Sequence, residues 1–374
     1  MGNNLKEIAQ QLVDSSKKCQ LIYAFNGVGK TRLSGEFKEL IAPKNVENDE
    51  DNERHVTILY YNAFTEDLFY WDNDLENDVD RKIKIHPNSF TDWLLKDEGQ
   101  DKEVQKHFSH YANSKLSVNF DTDFSEVTFA VQGNASENIK ISKSEESSFI
   151  WSIFYSMLEL VIEQLNEEKE NRSTTQFDAL KYIFIDDPVT SLDENHLIEL
   201  AVNLAEKINN SSFEKNKVKF IITTHNPLFF NVLCNGLKDH KKYRLKKNED
   251  GTYRLDDEIK SPFSYHLFLL SEIQKAIESD SVYKYHFNLL RNILEKTAIF
   301  LGYANWSELL DPEYNKKYQK RLIDISCHSD ISISEVPPVR QEDKDMLKEL
   351  LQLLIEKYQF NLSSKENESE VHNV

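Results

Sequence analysis

The chain has 374 residues, of which 39% are hydrophobic and 11% aromatic. It is long enough for two ordinary domains with buried cores, and this composition excludes a wholly disordered protein. The formal net charge of −19 excludes a general nucleic-acid coat, because sequence-independent phosphate binding needs an excess of lysine and arginine, but it leaves room for RNA at a local basic patch.

The cysteine pattern and the apolar runs predict the cellular compartment of the protein. Cys19, Cys234 and Cys327 are far apart and form no Cys-x-x-Cys pair. This spacing is typical of a reducing environment and predicts no zinc site. Residues 1–18 are polar and predict no signal peptide, and residues 149–165 are interrupted by serines and glutamates, which indicates a buried core helix. We therefore predict a cytoplasmic protein with no membrane partner.

The first third of the chain alternates helical and extended patterns. Residues 1–18 predict an amphipathic helix, residues 20–24 a short strand, and residues 30–41 a second helix. Residues 45–54 are acidic and polar, as in an exposed loop. Residues 56–64 predict a further strand.

The middle of the chain continues this alternation. Residues 126–131 alternate as a half-buried strand does, and a long apolar helix is predicted from Ser147. Residues 182–185 and 218–223 predict two buried strands. Strands that alternate with helices indicate an α/β sheet with parallel strands.

The composition then changes. Residues 237–260 are charged and rich in lysine, which indicates a hairpin or an insert between domains. From residue 264 to residue 360 the pattern is helical throughout, and Leu347, Leu350, Leu351 and Leu354 form one apolar stripe. We predict an α/β domain over residues 1–262, a smaller all-α domain over residues 263–362 and a flexible polar tail over residues 363–374.

A phosphate-binding loop lies between the first predicted strand and the second helix. Its backbone amides would point at phosphate oxygens, and the helix would add its positive end. Lys30 is predicted to neutralise the β- and γ-phosphates, and the Thr31 hydroxyl to bind Mg²⁺. Ala24 replaces the usual first glycine, which need not abolish the turn. The predicted nucleotide-binding residues of the loop are Asn26, Gly27, Val28, Gly29, Lys30 and Thr31.

Two adjacent carboxylates follow the buried strand at residues 182–185. Asp186 is predicted to hold Mg²⁺, directly or through water, and Asp187 to orient the attacking water. The alternative for each carboxylate is a buried ion pair or a helix cap. Together, the loop and the strand predict binding of a nucleoside triphosphate with magnesium and its hydrolysis.

Three segments resemble ABC-type ATPases. Residues 186–193 resemble the Walker B and D-loop segment, and residues 223–225 resemble the switch in which His225 would sense the γ-phosphate. Residues 142–145 resemble the signature loop, with Ser144 in place of the usual glycine. The resemblance implies an ABC-type P-loop NTPase domain that pairs as a dimer or higher homo-oligomer, with nucleotide held between one phosphate loop and the partner's signature. Ser142 is the predicted signature contact.

A second constellation lies in the predicted helical domain. Arg291 and Glu295 are four residues apart, so a helix puts both on one face. His328 lies in a later stretch that could bring an imidazole alongside. Such a pair is usually a surface salt bridge and a single histidine is usually structural, so these residues alone are weak evidence of catalysis.

The order of the domains resembles the PrrC family of bacterial anticodon nucleases. The likeness covers nearly the whole chain, with matching segments at residues 7–12, 21–27, 60–67 and 290–303, and it includes Ala24. This resemblance implies a helical nuclease domain behind the NTPase domain.

The resemblance also implies residues and partners. The family uses an arginine, a glutamate four residues later and a distant histidine, which match Arg291, Glu295 and His328. It implies tRNA as the substrate, tRNA-Lys in particular, and ATP or GTP hydrolysis during activation. It further implies silencing by an associated type I restriction–modification complex, in a suicidal defence against phage.

Metal-free RNA cleavage fits these three side chains. RNA supplies its own nucleophile, the 2′-hydroxyl next to the scissile phosphate. His328 suits a proton-transfer role and Arg291 suits the phosphorane charge. Glu295 is either the second proton carrier or a group that orients the arginine. The expected products are a 2′,3′-cyclic phosphate and a 5′-hydroxyl.

Two basic clusters are candidates for RNA contact, and a solvated charged face is the alternative for each. They consist of Lys238, Lys241, Lys242, Arg244, Lys246 and Lys247, and of Lys316, Lys317, Lys320 and Arg321.

Two other functions remain open on the sequence. One is a regulatory ABC-type ATPase without a nuclease of its own, whose helical domain docks a separate effector. The other is a DNA-end-binding repair ATPase, which the acidity and the lack of long heptad runs disfavour.

Overall fold

The computed structural model describes residues 2–43, 56–62, 67–73, 81–112, 115–131, 138–189, 194–211, 218–248, 250–257, 265–327 and 339–360. The chain divides into two compact units, Met1–Ser261 and Pro262–Val374. The first unit contains both helices and strands. The described residues of the second unit are helical or irregular.

The strands of the first unit form two sheets. The described strands are β1 (Cys19–Tyr23), β2 (Ile58–Tyr61), β3 (Phe69–Asp72), β4 (Lys82–Ile85), β5 (Leu116–Phe120), β6 (Glu126–Val131), β7 (Tyr182–Asp186), β8 (Lys219–Thr224), β9 (His240–Lys247) and β10 (Tyr253–Asp256). The larger sheet has the order β10-β9-β1-β8-β7-β2, and only the β9–β10 pair is antiparallel. The smaller sheet is antiparallel, in the order β3-β4-β6-β5.

Helices cover both faces of the larger sheet. The described helices of this unit are α1 (Leu5–Asp14), α2 (Lys30–Ile41), α3 (Ser89–Asp92), α4 (Asp101–Tyr111), α5 (Lys143–Asn166), α6 (Glu194–Asn210) and α7 (Pro227–Gly236). On one face, α1 and α2 pack against the sheet through residues such as Leu12 and Phe37. On the other face, Trp151 of α5 contacts Tyr61 and Phe230 of α7 contacts Tyr23. This coverage explains why β1 and β7 are buried along their whole length.

The charged segment at residues 237–260 proves to be part of the larger sheet. It forms the hairpin β9–β10, and β9 pairs in parallel with β1. It is therefore a sheet edge, and of the two predicted alternatives, a hairpin or an insert between domains, the structure shows the hairpin. Tyr243, Leu245 and Tyr253 are buried and belong to the core, while Arg244 and Lys246 occupy the alternate positions of β9, on its other face. The lysine content concealed this alternation.

The second unit is a helical bundle over the residues described. Its helices are α8 (Tyr265–Glu278), α9 (Lys284–Leu301), α10 (Pro312–Cys327) and α11 (Gln341–Tyr358). The core includes Phe287 and Leu290 of α9 and the predicted apolar stripe of α11, with Leu347, Leu350 and Leu354 fully buried. The predicted fold class, an α/β domain followed by a smaller all-α domain, is confirmed.

The helix that follows the phosphate loop has its predicted bounds, whereas the long apolar helix α5 begins four residues before the predicted Ser147. It starts earlier because Ser142 caps it. The predicted acidic loop at residues 45–54 and the tail at residues 363–374 lie outside the described residues. No described helix is long and apolar enough to cross a bilayer.

Candidate nucleotide and nuclease sites

The phosphate loop connects the end of β1 to the first residue of α2. Gly27 and Gly29 have φ angles of 79° and 113°, in the left-handed region that favours glycine. Ala24 follows β1 directly, and its N–H donates to the carbonyl of Thr224 at the end of β8 at 3.0 Å. Ala24 is not among the described residues with positive φ, so this position tolerates an alanine.

Lys30 is folded back over this loop and is only 8% exposed. Its Nζ donates to the Ala24 carbonyl at 3.3 Å and to Asn26 Oδ1 at 3.1 Å. It also forms an ion pair with Asp187 Oδ2 at 3.3 Å. A cation held among loop oxygens and a carboxylate is well placed to exchange these partners for phosphate oxygens.

Asp186 ends β7 and is 4% exposed. Its Oδ2 accepts the Thr31 hydroxyl at 2.9 Å, and its Oδ1 accepts the Thr223 hydroxyl. Burial raises the pKa of this carboxyl above its ordinary value, although the hydrogen bonds from Thr223 and Thr31 oppose the rise. A buried carboxylate beside a threonine hydroxyl is an oxygen donor set that suits Mg²⁺, which usually takes one or two carboxylates together with substrate phosphates.

Asp187 adopts a left-handed conformation, with φ at 52°, and its N–H donates to the Thr223 carbonyl at 2.9 Å. Its Oδ2 lies 2.6 Å from His225 Nδ1, and its Oδ1 accepts the Thr224 hydroxyl at 3.2 Å. Burial would raise the pKa of this carboxyl, but the His225 hydrogen bond and the Lys30 charge outweigh burial and leave the pKa below its ordinary value. Asp187 is therefore ionised at neutral pH.

The structure thus brings together residues that are up to 199 positions apart in the chain, from Asn26 to His225. Parallel pairing of β7 with β8 aligns Asp186 with Thr223 and delivers both strand ends to the loop. The catalytic and binding roles of these residues stay predictions. Sequence reasoning missed the parts played by the Thr223 and Thr224 hydroxyls, for which the signal was two threonines at the end of a buried strand.

Ser142 has a local structural partner. Its Oγ accepts the N–H of Glu145 at 3.3 Å, and Glu145 Oε2 accepts the Ser142 N–H at 2.7 Å. This reciprocal pair is a capping box at the start of α5. The contact between Ser142 and a partner's nucleotide remains a prediction. Residues 190–193, the end of the predicted D-loop, lie outside the described residues.

The predicted nuclease pair lies on α9. Arg291 Nε donates to Glu295 Oε1 at 2.8 Å, and the two side chains are 31% and 41% exposed. Buried Leu290 and Leu294, at neighbouring positions of the helix, hold it against the core. His328 follows the last residue of α10 and lies outside the described residues, so its place beside the pair stays a prediction.

The strand, the glycine loop, the helix and the carboxylate-bearing neighbouring strand define the first unit as a P-loop NTPase fold. The whole chain is similar to the curated anticodon nuclease of Escherichia coli, with 49% identity over 383 residues that cover 94% of this chain and 96% of the relative. The chain belongs to the anticodon nuclease family, and the predicted membership is confirmed.

More distant likenesses are partial. An uncharacterized chromosomal cassette protein, CR006, of Staphylococcus aureus strain MRSA252 is 29% identical over 177 residues, which cover 45% of this chain and 23% of that protein. The SMC head domain of Thermotoga maritima matches with a TM-score of 0.32 and 10% identity, over 66% of this chain and 92% of that structure. The Pyrococcus furiosus Smc head with ScpA scores 0.29 at 11% identity, over 50% of this chain and 38% of that structure. TM-scores this low do not support a conclusion about function. No protein-family model matches the chain.

Proposed function

We propose that this protein is a nucleotide-controlled endoribonuclease that cuts tRNA in the anticodon loop. The observation that carries the proposal is the 49% identity to an anticodon nuclease over 94% of the chain. Only about 6% of the chain is left uncovered, so the match extends through most of the helical unit as well as the α/β unit. This extent favours a chain with its own nuclease over a regulatory ATPase that controls a separate effector.

The first unit is the proposed switch. The amides of the loop at residues 26–31 and the Lys30 ammonium would hold the phosphates of ATP or GTP. Thr31 and Asp186 would hold Mg²⁺, which supplies positive charge to the phosphate oxygens when bound. The 2.9 Å approach of the Thr31 hydroxyl to the buried Asp186 carboxylate supports this assignment.

Asp187 and His225 are the proposed hydrolytic groups. The ionised Asp187 carboxylate can accept a hydrogen bond from water and so orient it. His225 Nδ1, 2.6 Å from Asp187 Oδ2, fixes the direction of that carboxylate. The Lys30 ammonium lies 3.3 Å from Asp187 Oδ2, so the two groups neutralise each other.

The helical unit is the proposed nuclease. The RNA 2′-hydroxyl attacks the adjacent phosphorus, and the bond to the 5′-oxygen of the next nucleotide breaks. Arg291 stabilises the phosphorane charge, and His328 carries a proton. The 2.8 Å hydrogen bond from Arg291 Nε to Glu295 holds the guanidinium in one orientation, which supports an orienting role for Glu295. Because the nucleophile comes from RNA and side chains handle protons, this scheme uses no metal at the nuclease site.

The proposed partners follow from the same family. tRNA, and tRNA-Lys in particular, is the proposed substrate. Pairing of two α/β units around nucleotide and association with a type I restriction–modification complex remain proposals that rest on the family resemblance alone.

The test is to incubate the purified full chain with bulk tRNA, with and without Mg²⁺ and ATP or GTP. We expect discrete fragments that end in the anticodon loop, with a yield that depends on nucleotide. The Arg291→Ala variant is the matched control and should leave tRNA intact. Intact tRNA alongside steady nucleotide hydrolysis by the wild-type protein would instead favour the regulatory ATPase.

A further inference from the structure

Two exposed tyrosines mark the N-terminal end of α9, the helix that carries Arg291 and Glu295. Tyr283 and Tyr285 are 56% and 55% exposed. Their rings are nearly parallel, with an interplanar angle of 11° and centroids 6.1 Å apart. Aromatic side chains bury large areas in most proteins, so two that are held parallel in solvent indicate a surface for a ligand with flat faces.

A buried histidine fixes both tyrosines. His286 is 2% exposed, and its Nδ1 accepts the N–H of Tyr283 at 2.9 Å. In return, the His286 N–H donates to the Tyr283 carbonyl at 3.0 Å. The centroid of the His286 ring lies 3.9 Å from that of Tyr285. The tyrosines are therefore ordered before any ligand arrives, which lowers the entropic cost of binding.

The position of the pair relative to Arg291 suits a strand of RNA. Tyr285 is six residues before Arg291, which is about 9 Å along the helix axis and about a third of a turn around it. Stacked bases lie about 3.4 Å apart along one strand, so the axial part of this separation corresponds to two or three nucleotides. Lys284 is seven residues before Arg291 and so lies on the same side of the helix, where its ammonium can contact a phosphate between the two positions.

We propose that Tyr283 and Tyr285 form a stacking platform for unpaired bases of the tRNA anticodon loop, two or three nucleotides from the phosphate at Arg291. The inference rests on the proposed nuclease function and deepens it, because it assigns a positioning surface to the same helix. Unpaired RNA bases stack on exposed aromatic rings, and every base offers a face for this contact. The platform sets where the loop is held along α9.

The size of the patch favours bases over a second protein. The other exposed apolar side chains of this helix region are Ile299, Phe300, Leu301 and Tyr303. Phe300 is fifteen residues from Tyr285, or about 22 Å along the axis. The tyrosine pair is thus a small, separate patch, well below the roughly 1,000 Å² that a stable protein interface buries, but large enough for one or two bases.

The experiment measures tRNA cleavage kinetics with the full-length protein and compares Tyr285→Leu, Tyr285→Phe and Tyr70→Leu. Tyr70 is the matched control because it is 43% exposed and stacks on His86 with centroids 4.5 Å apart, in the α/β unit. We expect Tyr285→Leu to raise the KM for tRNA about tenfold with a smaller change in kcat, since loss of one base stack typically weakens binding by about five- to 150-fold. Tyr285→Phe, which keeps the ring, and Tyr70→Leu should keep the wild-type KM.

A second readout separates stacking from a structural effect. An anticodon stem-loop with 2-aminopurine at successive loop positions should change fluorescence on binding to the wild type at one or two positions, and Tyr285→Leu should abolish that change without lowering the thermal midpoint. A wild-type KM in Tyr285→Leu would overturn the platform. So would a change in the sedimentation of the Tyr285→Leu protein while its KM for tRNA stays at the wild-type value. Failure of the wild-type protein to cut any tRNA would overturn the proposed function itself.

Discussion

The two candidate sites differ in how far the fold completes them before a ligand arrives. In the α/β unit, Lys30 and Asp186 are 8% and 4% exposed and already contact loop, strand and hydroxyl partners. In the helical unit, Arg291 and Glu295 are 31% and 41% exposed and bond to each other on a helix surface. A buried polar group that loses its partner costs stability, whereas an exposed pair contributes little to it. Substitutions at the first site should therefore affect folding and function together, and those at the second should affect function alone.

The largest effect is expected at the buried site. Lys30→Ala should reduce nucleotide hydrolysis by about three orders of magnitude, because it removes the cation that would stabilise phosphate charge. It should also lower the thermal midpoint, since Asp187 loses its ion pair. The measurement is steady-state hydrolysis beside thermal unfolding. Lys38→Ala, at an exposed position on the same helix, is the control, and wild-type hydrolysis by Lys30→Ala would remove the lysine from the site.

The next largest effect is expected at the exposed site. Arg291→Lys should lower tRNA cleavage by about 100-fold, because an ammonium cannot make the two parallel hydrogen bonds of a guanidinium with phosphate. Nucleotide hydrolysis and the thermal midpoint should not change. Arg340→Lys, at an exposed arginine just before α11, controls for the loss of a guanidinium elsewhere in the same unit. Equal loss of both activities in Arg291→Lys would contradict the separation of the two sites.

The sequence could predict the parts of the fold that depend on local pattern. The loop and α2 follow from short-range rules, since the glycines permit the turn and an amphipathic stripe continues beyond Lys30. The stripe of α11 was equally clear, because leucines repeat at helical spacing. The hairpin β9–β10 was one of two predicted alternatives, but its pairing with β1 could not be predicted because it joins residues more than 200 positions apart.

The residues of the candidate nucleotide site could be predicted from the sequence, but the contacts between them could not. The residue types at positions 186, 187 and 225 were singled out, yet the 2.6 Å approach of His225 to Asp187 depends on the pairing of β7 with β8. Local rules do not specify which strands are neighbours. Tyr285 was missed for a different reason, because its exposure depends on how α9 packs against the bundle core.

A structural ion cluster in the α/β unit sharpens the contrast between buried and exposed charges. Glu159 of α5 lies 2.7 Å from His107 Nε2 and 2.7 Å from Lys207 Nζ. Burial would raise the pKa of Glu159, but the hydrogen bonds from His107 and Lys207 outweigh it and lower the pKa to about 2. The pKa of Glu159 is lower in the folded protein than in the unfolded chain, where it is near 4.3, so ionised Glu159 stabilises the fold at a pH above about 4.3. This contribution is lost as the pH falls toward 2.

Glu159→Gln should therefore lower the free energy of unfolding by about 2 kcal/mol at pH 7, with a smaller difference from wild type at pH 3. Denaturant titrations at the two pH values measure this difference. Glu163→Gln, one turn further along α5 and exposed, should change the free energy of unfolding by much less. A pH-independent difference for Glu159→Gln would contradict the ionic origin.

The smallest effect distinguishes the two roles of Ser142. Ser142→Ala removes the α5 cap and should cost about 1 kcal/mol, whereas Ser142→Asp keeps a capping oxygen and should preserve stability. If Ser142 also contacts a partner's nucleotide, the added negative charge of Ser142→Asp should repel phosphate and reduce hydrolysis. Denaturant unfolding and hydrolysis rates on both variants measure the two roles separately. Normal hydrolysis by Ser142→Asp would leave this serine as a cap alone.

We propose that the helical unit cuts tRNA by attack of the RNA's own 2′-hydroxyl, and the chemistry of the cut ends is the strongest test of this mechanism. Fragments made by the wild-type protein should carry a 2′,3′-cyclic phosphate and a 5′-hydroxyl at a break in the anticodon loop. Their 5′ ends should therefore accept labelled phosphate from polynucleotide kinase without prior phosphatase treatment. Fragments with 5′-phosphate and 3′-hydroxyl ends, or breaks spread outside the anticodon loop, would rule out this mechanism.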